Sequence, residues 1–395
     1  MKTEIKNDYV IAYPQGRIDS QTANDYQEEF LKIIEENEGL KLEINMEGIE
    51  YVSSAGLRIF LKIQKTVKDL KLTELSSDVY DIFNVTGFTD IMNVRKVMRR
   101  ISVDGCEVIG RGFYGTVYRI DEDTIVKVYE SPESIPMIEN EQLRAKQAFR
   151  SGIPTAISYD IVRVGDSYGS VFEMLKAKTL NDLVIENPEN VDDITAKYVD
   201  FIKTVHGTVM EKGILPYARD EFIDHLDVER EYLDDDIYDT LKKYLSELPQ
   251  DDHVVHGDIM MKNVMMVDGE LMLIDMDTLM AGQPVFDLAG LYVAYMAFPE
   301  DEPGNSEGFL GITDAMATHI WNEIFNRYFS GFSEEEKATI LDKLKIVAYI
   351  RFLFIISVTD YKNGELGAIR INHTKQHLRE LLPRVDNLYF STEPS

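Results

Sequence analysis

The stretch Val254-Val255-His256-Gly257-Asp258-Ile259-Met260-Met261-Lys262-Asn263 is followed, after a hairpin signal at Asp268-Gly269, by Leu273-Ile274-Asp275-Met276-Asp277. Short apolar runs bounded by turn residues read as short strands, so Asp258, Asn263 and Asp275 are three oxygen-bearing side chains held at fixed offsets by the loops between them. Phosphoryl transfer needs such a set: a carboxylate to orient a hydroxyl and take its proton, and oxygen ligands for Mg2+ on a triphosphate. Asp258 suits the first role, Asn263 and Asp275 the second. His256 reads as an anchor of the loop, and Asp277 either assists the metal or is solvated. Seven methionines between Met260 and Met280 read as filling for irregular core space around these residues.

Upstream, Ile109-Gly110-Arg111-Gly112-Phe113-Tyr114-Gly115-Thr116-Val117-Tyr118 precedes an acidic turn and Thr124-Ile125-Val126-Lys127-Val128. The glycines lie between strands and open no helix, which excludes a dinucleotide fold and fits a loop laid over nucleotide phosphates. Without side chains, Gly110, Gly112 and Gly115 let the backbone approach phosphate oxygens; Val117 is placed to cover a base, and Lys127 to reach the α- and β-phosphates. Glu141 starts a helical pattern that runs through Ala145 and Ala148 to Gly152-Ile153-Pro154, and supplies the acid that a buried strand lysine needs as partner.

Taken in order, these residues resemble the aminoglycoside phosphotransferase and choline kinase branch of the protein-kinase-like superfamily, over roughly residues 104–300. The resemblance implies ATP and Mg2+ as cofactors and an α+β bilobal domain over residues 101–395. Its N-lobe spans about 104–175 and its mainly helical C-lobe about 176–395. It also implies an adenine site at Val171-Phe172-Glu173-Met174-Leu175, with Glu173 and Leu175 at the hinge. Asp287, in Asp287-Leu288-Ala289, matches the family aspartate that supports the catalytic loop. Asp275 and Asp287 are 12 positions apart (287 − 275) and no A-P-E sequence follows, which leaves little room for a peptide-docking segment and favours a small-molecule hydroxyl acceptor. Helical patterns run from Asp192 to Lys212, Phe222 to Leu248, Met316 to Phe329 and Glu334 to Val358. Asp220, Glu221, Asp224 and the run Asp234 to Asp236 either attract a cationic, amino-sugar or polyamine-like acceptor or form a solvated helical face.

The first hundred residues read differently. Residues 8–13 alternate as a strand, Pro14 to Arg17 turn, and Asp19 or Ser20 can cap a helix carrying Ala23, Tyr26, Phe30, Ile33 and Ile34 on one face. Residues 40–46 form a strand, a second helix carries Leu57, Phe60, Leu61 and Val67 inward, and Leu72 to Leu75 and Val79 to Val85 repeat the strand-helix pattern. This is an α/β sandwich of sheet and helices. Tyr51-Val52-Ser53-Ser54-Ala55-Gly56-Leu57-Arg58, after the Gly16-Arg17-Ile18-Asp19 turn, resembles the STAS domain of bacterial anti-sigma-factor antagonists over about residues 1–100. The resemblance implies Ser54 as a phosphorylation site and an anti-sigma factor or serine kinase as partner; Ser53 stands where the best-known members carry an aspartate. The alternative for Ser54 is a helix N-cap.

The chain has 395 residues, of which 44% are hydrophobic and 28% charged, which suits two globular domains. Residues 1–100 hold 14 Lys and Arg against 17 Asp and Glu, leaving 27 against 53 of the totals 41 and 70 for residues 101–395, so the nets are −3 and −26. A field of that sign disfavours nucleic acid and acidic membrane surfaces. A single cysteine, Cys106, fits a reducing compartment. No apolar stretch of signal-peptide length opens the chain, and Ile346 to Val358 is shorter than a membrane span and contains Arg351, so a cytoplasmic protein with that segment as a core helix is expected. The overall expectation is an ATP- and Mg2+-dependent phosphotransferase with an N-terminal STAS module. The alternative is a regulatory protein of the antagonist type whose kinase-like part senses nucleotide or phosphorylates a protein serine, Ser54 included.

Overall fold

Tyr9–Tyr13 is a strand with an apolar run, Lys41–Asn45 one that alternates apolar and polar residues, and Lys71–Leu75 one with an irregularity between Leu72 and Leu75; their residues Val10, Ala12, Leu42, Ile44, Leu72 and Leu75 are buried. In the computed structural model, which describes residues 1–67, 69–112, 115–131 and 134–393, they form the middle of a five-stranded sheet. The edges are Lys2–Lys6 and Asn93–Lys96. Lys2–Lys6 pairs antiparallel with Tyr9–Tyr13 and the remaining pairs are parallel. A two-stranded parallel ribbon joins Gly16–Ile18 to Ile49–Val52. The helices Ala23–Glu36, Ser54–Thr66 and Ser77–Val85 lie side by side through Phe30, Phe60 and Phe83, with successive ring centroids 6.3 and 5.7 Å apart.

Two helix starts differ from the sequence expectation. The first helix begins at Ala23, and Asp19 instead accepts the backbone N–H groups of Gln21 and Thr22 in a turn ahead of it. At the second, the cap is Ser53, whose Oγ accepts N–H from Ala55 and Gly56 at 3.2 and 3.4 Å. Ser54 is therefore the first helical residue, exposed, and not the cap. Met1–Ser102, together with Ile161–Asp166, makes up this first compact unit, in which Arg163 and Val164 pair in parallel with Arg100 and Ile101.

Val103–Asp160 and the chain from Ser167 onward make the second unit. Its N-terminal part is an antiparallel sheet of Glu107–Arg111, Gly115–Arg119, Thr124–Tyr129 and Ser167–Glu173, beside the helix Ile135–Arg150. Helices dominate the rest. Glu334–Val358 opens on a capping box of Ser333 and Glu336, and from Ile346 to Ile350 every residue is buried, so the segment is a core helix. No helix among the described residues is long and apolar enough to cross a membrane.

Two expected helices are shorter than their patterns. Val191–His206 stops at Gly207, because the following residues leave to pair: Val209 bridges His253 and the Met210 N–H bonds the Asp252 carbonyl at 2.9 Å. The span from Phe222 to Leu248 is two helices, Ala218–Val228 and Asp235–Glu247, separated at Asp234, which binds Lys375 at 2.9 Å and also Arg379. Asp220 pairs with Arg219 and Asp235 with Arg230, so much of this acidic surface is neutralised within the chain. The helix Gly364–Leu381 has no counterpart in the sequence reading.

Candidate functional site

The catalytic loop is built on a buried carboxylate. Asp287, at the start of the helix Val285–Tyr292, accepts the backbone N–H of His256 at 2.8 Å and of Gly257 at 2.6 Å, and His206 Nε2 at 3.0 Å. The other ring nitrogen of His206, Nδ1, meets the Tyr328 hydroxyl at 2.9 Å. Burial alone would raise the Asp287 carboxyl, but His206 and the backbone donors bring it below the usual carboxylate range. His256 is itself fixed: Nε2 donates to the Ile274 carbonyl at 3.1 Å, and Nδ1 accepts the Asp258 N–H at 3.3 Å. The Thr278 hydroxyl and the Tyr198 hydroxyl bind the carbonyls of His256 and Ile259.

This framework presents Asp258 and Asn263 together. Asn263 Nδ2 donates to Asp258 Oδ2 at 2.9 Å and to the Asp258 carbonyl at 2.8 Å, while Asp258 Oδ1 accepts no hydrogen bond from the described residues. Burial raises the Asp258 carboxyl above its ordinary value, and Arg351, whose Nη2 is 4.0 Å from Oδ1, pulls it part of the way back.

A second chain of contacts meets it. Lys127 Nζ lies 3.3 Å from Glu141 and 2.5 Å from Asp275 Oδ1. Burial works against the Lys127 charge, but the two carboxylates outweigh it and raise the ammonium above its ordinary value. Glu141 lies inside the helix Ile135–Arg150, six residues after its start, and is buried. It also accepts the hydroxyl of buried Tyr129, whose ionisation burial and Glu141 push upward. Asp275 is left-handed, with φ of +63°, an unusual conformation for a residue with a side chain, and Arg144 binds the Asp277 carbonyl two residues on. Burial and the adjoining Asp275 raise the Asp277 carboxyl. Among the described residues no three His, Cys, Asp or Glu side chains converge as a metal cage.

The glycine segment forms the hairpin of Glu107–Arg111 and Gly115–Arg119, with the Gly112 N–H bonded to the Gly115 carbonyl at 2.9 Å; Phe113 and Tyr114 lie outside the described residues. A side chain on Gly115 would collide with the Val128 carbonyl, so its bareness serves strand packing. Val117 pairs across the sheet with Lys127. Glu173 is exposed at the end of its strand, Leu175 is half-buried beyond it, and the intervening Met174 N–H is taken by the Asp123 carbonyl at 2.8 Å.

Residues 105–311, just over half of the chain, match the phosphotransferase enzyme family. The chain belongs to that family. Residues 1–100 of this phosphotransferase match the STAS domain. They are 30% identical over 98 residues to an anti-sigma-B factor antagonist of Listeria monocytogenes, covering 24% of this chain and 85% of the relative. A putative anti-sigma factor antagonist of Bordetella bronchiseptica is 30% identical over 89 residues, covering 22% of this chain and 76% of the relative. The crystal structure of a thermostable mutant of aminoglycoside phosphotransferase APH(4)-Ia shares the fold. Its TM-score is 0.50 at 14% identity, over 70% of this chain and 94% of that one.

Sequence reasoning missed Tyr129, Arg144, Tyr198, His206, Thr278 and Arg351. Tyr129 carried a signal: two positions from Lys127 on one strand, it shares that residue's face. Arg144 lies one turn beyond Glu141 on its helix and Thr278 directly follows Asp277, whereas Tyr198, His206 and Arg351 act from elements distant in sequence.

Proposed function

We propose that the phosphotransferase unit moves the γ-phosphoryl group of ATP to a hydroxyl of a small molecule, and that residues 1–100 and 101–395 act as a switch module and an enzyme in the cytoplasm. The observation that carries this reading is the assembly itself: Asp258 is bonded to Asn263 on one braced loop, and Lys127 bridges Glu141 and Asp275. Oδ1 of Asp258 is left to orient the acceptor hydroxyl. The proton of that hydroxyl passes to Asp258 and its oxygen bonds to the γ-phosphorus. The bond from that phosphorus to the β,γ-bridging oxygen breaks, releasing ADP. A base lifted by burial above the ordinary carboxylate range takes a proton more readily than a solvated aspartate. Lys127, oriented by Glu141, contacts the α- and β-phosphates. Gly110, Gly112 and Gly115 run over the triphosphate, Val117 covers the base, and the backbone near Glu173 and Leu175 meets its edge.

The donor set fits Mg2+. Asp275 offers a carboxylate, and Asn263 keeps its Oδ1 free among the described residues because its nitrogen faces Asp258. An incomplete protein cage suits an ion whose remaining ligands are phosphate and water oxygens. Asn263 and Asp275 would hold the ion, which when bound would offset the negative charge of the triphosphate.

The test is ADP release from MgATP with a fractionated small-molecule extract, comparing the wild type with Asp258→Ala. Extract-dependent release by the wild type alone is expected; no difference in any fraction refutes the reading. A second, regulatory reading draws on Ser54, an exposed hydroxyl without a protein partner among the described residues at the N-terminus of Ser54–Thr66, where a phosphate is well received. In it, the STAS module engages an anti-sigma factor or a serine kinase according to its phosphate. It predicts phosphate on Ser54 after incubation with MgATP and none in Asp258→Ala, read by mass spectrometry. An unlabelled wild type excludes self-modification.

A further inference from the structure

Arg351 stands beside the proposed base without a hydrogen-bond partner among the described residues. It lies within the helix Glu334–Val358, its side chain is 17% exposed, and its Nη2 is 4.0 Å from Asp258 Oδ1, too far to donate. Among the described residues no oxygen accepts from any of its five N–H groups. A guanidinium cannot shed its charge, and donors that are unpaired within the described residues yet still open to solvent are available to a ligand.

The neighbours shape this cation into a receptor. Gly290 lies alongside, where an added methyl group would make an ordinary van der Waals contact with Arg351 Nε at 3.5 Å. On another side, His225 stacks on Phe354 with centroids 3.6 Å apart and planes 15° apart, an apolar wall. Burial and the charge of Arg351 push the His225 imidazole down to about 4, so it stays neutral and adds no competing cation. Lys262, half-buried and bonded to the Phe309 carbonyl at 2.7 Å, is a second cation that senses Asp258. Whole-chain charge attracts cations, and Asp275 also acts on the base, yet the strongest charge acting on Asp258 is that of Arg351.

We propose that Arg351 binds the phosphoryl acceptor, and that the acceptor carries an oxyanion, a carboxylate or phosphate, close to the hydroxyl that is phosphorylated. The inference rests on the phosphotransferase reading above. The planar fork gives two parallel donors to such a group and holds the hydroxyl against Asp258 Oδ1. A cationic amino-sugar or polyamine would instead meet like charge at this point.

The experiment titrates sulfate, as a simple oxyanion probe, into the full-length chain by calorimetry, once with MgADP and once with a non-hydrolysable MgATP analogue. Sulfate is expected to bind in both states. Arg351→Gln should weaken it by about tenfold or more, with Arg351→Lys recovering only part, in variants whose thermal unfolding matches the wild type. Absence of binding, or binding indifferent to Arg351→Gln, overturns the proposal. Binding that vanishes when the analogue fills the γ-phosphate position overturns it too, since the arginine then serves the nucleotide. A chain that binds neither nucleotide defeats the phosphotransferase reading instead, and Arg351-dependent sulfate binding without nucleotide then separates the two failures. In the extract assay, the active fraction should be retained by an anion exchanger; an active fraction retained by a cation exchanger counts against Arg351 as an acceptor group.

Discussion

Replacing Asp287 by asparagine changes one atom and should loosen the whole catalytic loop. The carboxylate accepts three donors, at 2.8, 2.6 and 3.0 Å, from His256 N, Gly257 N and His206 Nε2. Asparagine offers one oxygen and turns an NH2 toward the others, so one backbone N–H of the loop is left unmade and the charge-assisted character of the remainder is lost. Hydrogen bonds to a charged group contribute roughly 1.5–3 kcal/mol each, and breaking a buried charged set costs roughly 3–5 kcal/mol. A loss of about 3–5 kcal/mol is therefore expected, read as a shift of the urea midpoint at constant slope. The pH dependence has a definite sign. The folded carboxyl sits below its unfolded value, so its stabilisation is complete above the unfolded value and disappears as pH falls through the folded one. The gap between wild type and Asp287→Asn should thus narrow in acid. A loss below about 1 kcal/mol at neutral pH, or a gap that widens in acid, would refute the view that this carboxylate braces the loop.

Three further outcomes follow from the same contacts. Tyr129→Phe removes the hydroxyl that Glu141 accepts and should raise the KM for MgATP several-fold, by roughly 1 kcal/mol, with little change in thermal unfolding; an unchanged KM would show that Glu141 needs no such support. Phe60→Ala empties the centre of the Phe30, Phe60 and Phe83 row and should cost the first unit about 3–5 kcal/mol, detected as faster limited proteolysis within residues 1–102. His225 is kept neutral in the folded chain down to about 4, against an ordinary value of 6.5, so unfolding takes up a proton between those values. Stability should fall by a few kcal/mol as pH drops from about 6.5 to 4, and His225→Gln should flatten that part of the profile; an unaltered profile would exclude the histidine as its cause.

The sequence made some of this legible because local patterns and local chemistry coincide. Leu42 and Ile44 alternate in a strand, and the spacing of Asp258, Asn263 and Asp275 names the atoms that phosphoryl transfer needs. Lys2–Lys6 went unread because all five residues are exposed, which leaves a strand without an apolar face to reveal it. The Val191–His206 helix was read too long because its apolar pattern continues into residues that pair with the segment ahead of Val254. Ser53 and Ser54 are adjacent and chemically alike, and only backbone geometry decides which caps. Arg351 was read from its neighbours as one charge in an apolar helix; that it faces Asp258, 93 positions earlier, depends on how a distant helix packs beside the catalytic loop.

The two halves of the site obey different electrostatic rules, and the difference bears on how it works. Around Asp287 every donor meets an acceptor in a fully buried setting, so the arrangement is complete and should be rigid without a ligand. Around Lys127 the balance is unfinished: three nearby acids, Glu141, Asp275 and Asp277, face one ammonium, and burial together with Asp275 raises the Asp277 carboxyl. Around Asp258 the strongest neighbouring charge is basic, Arg351 outweighing the opposing Asp275, and Oδ1 accepts no hydrogen bond from the described residues. A metal-bound triphosphate and an anionic acceptor would correct the two imbalances separately, the cation on the acidic side and the oxyanion on the basic side. A site charged in this way is stabilised most when both reactants are present, with the braced loop fixing the base between them.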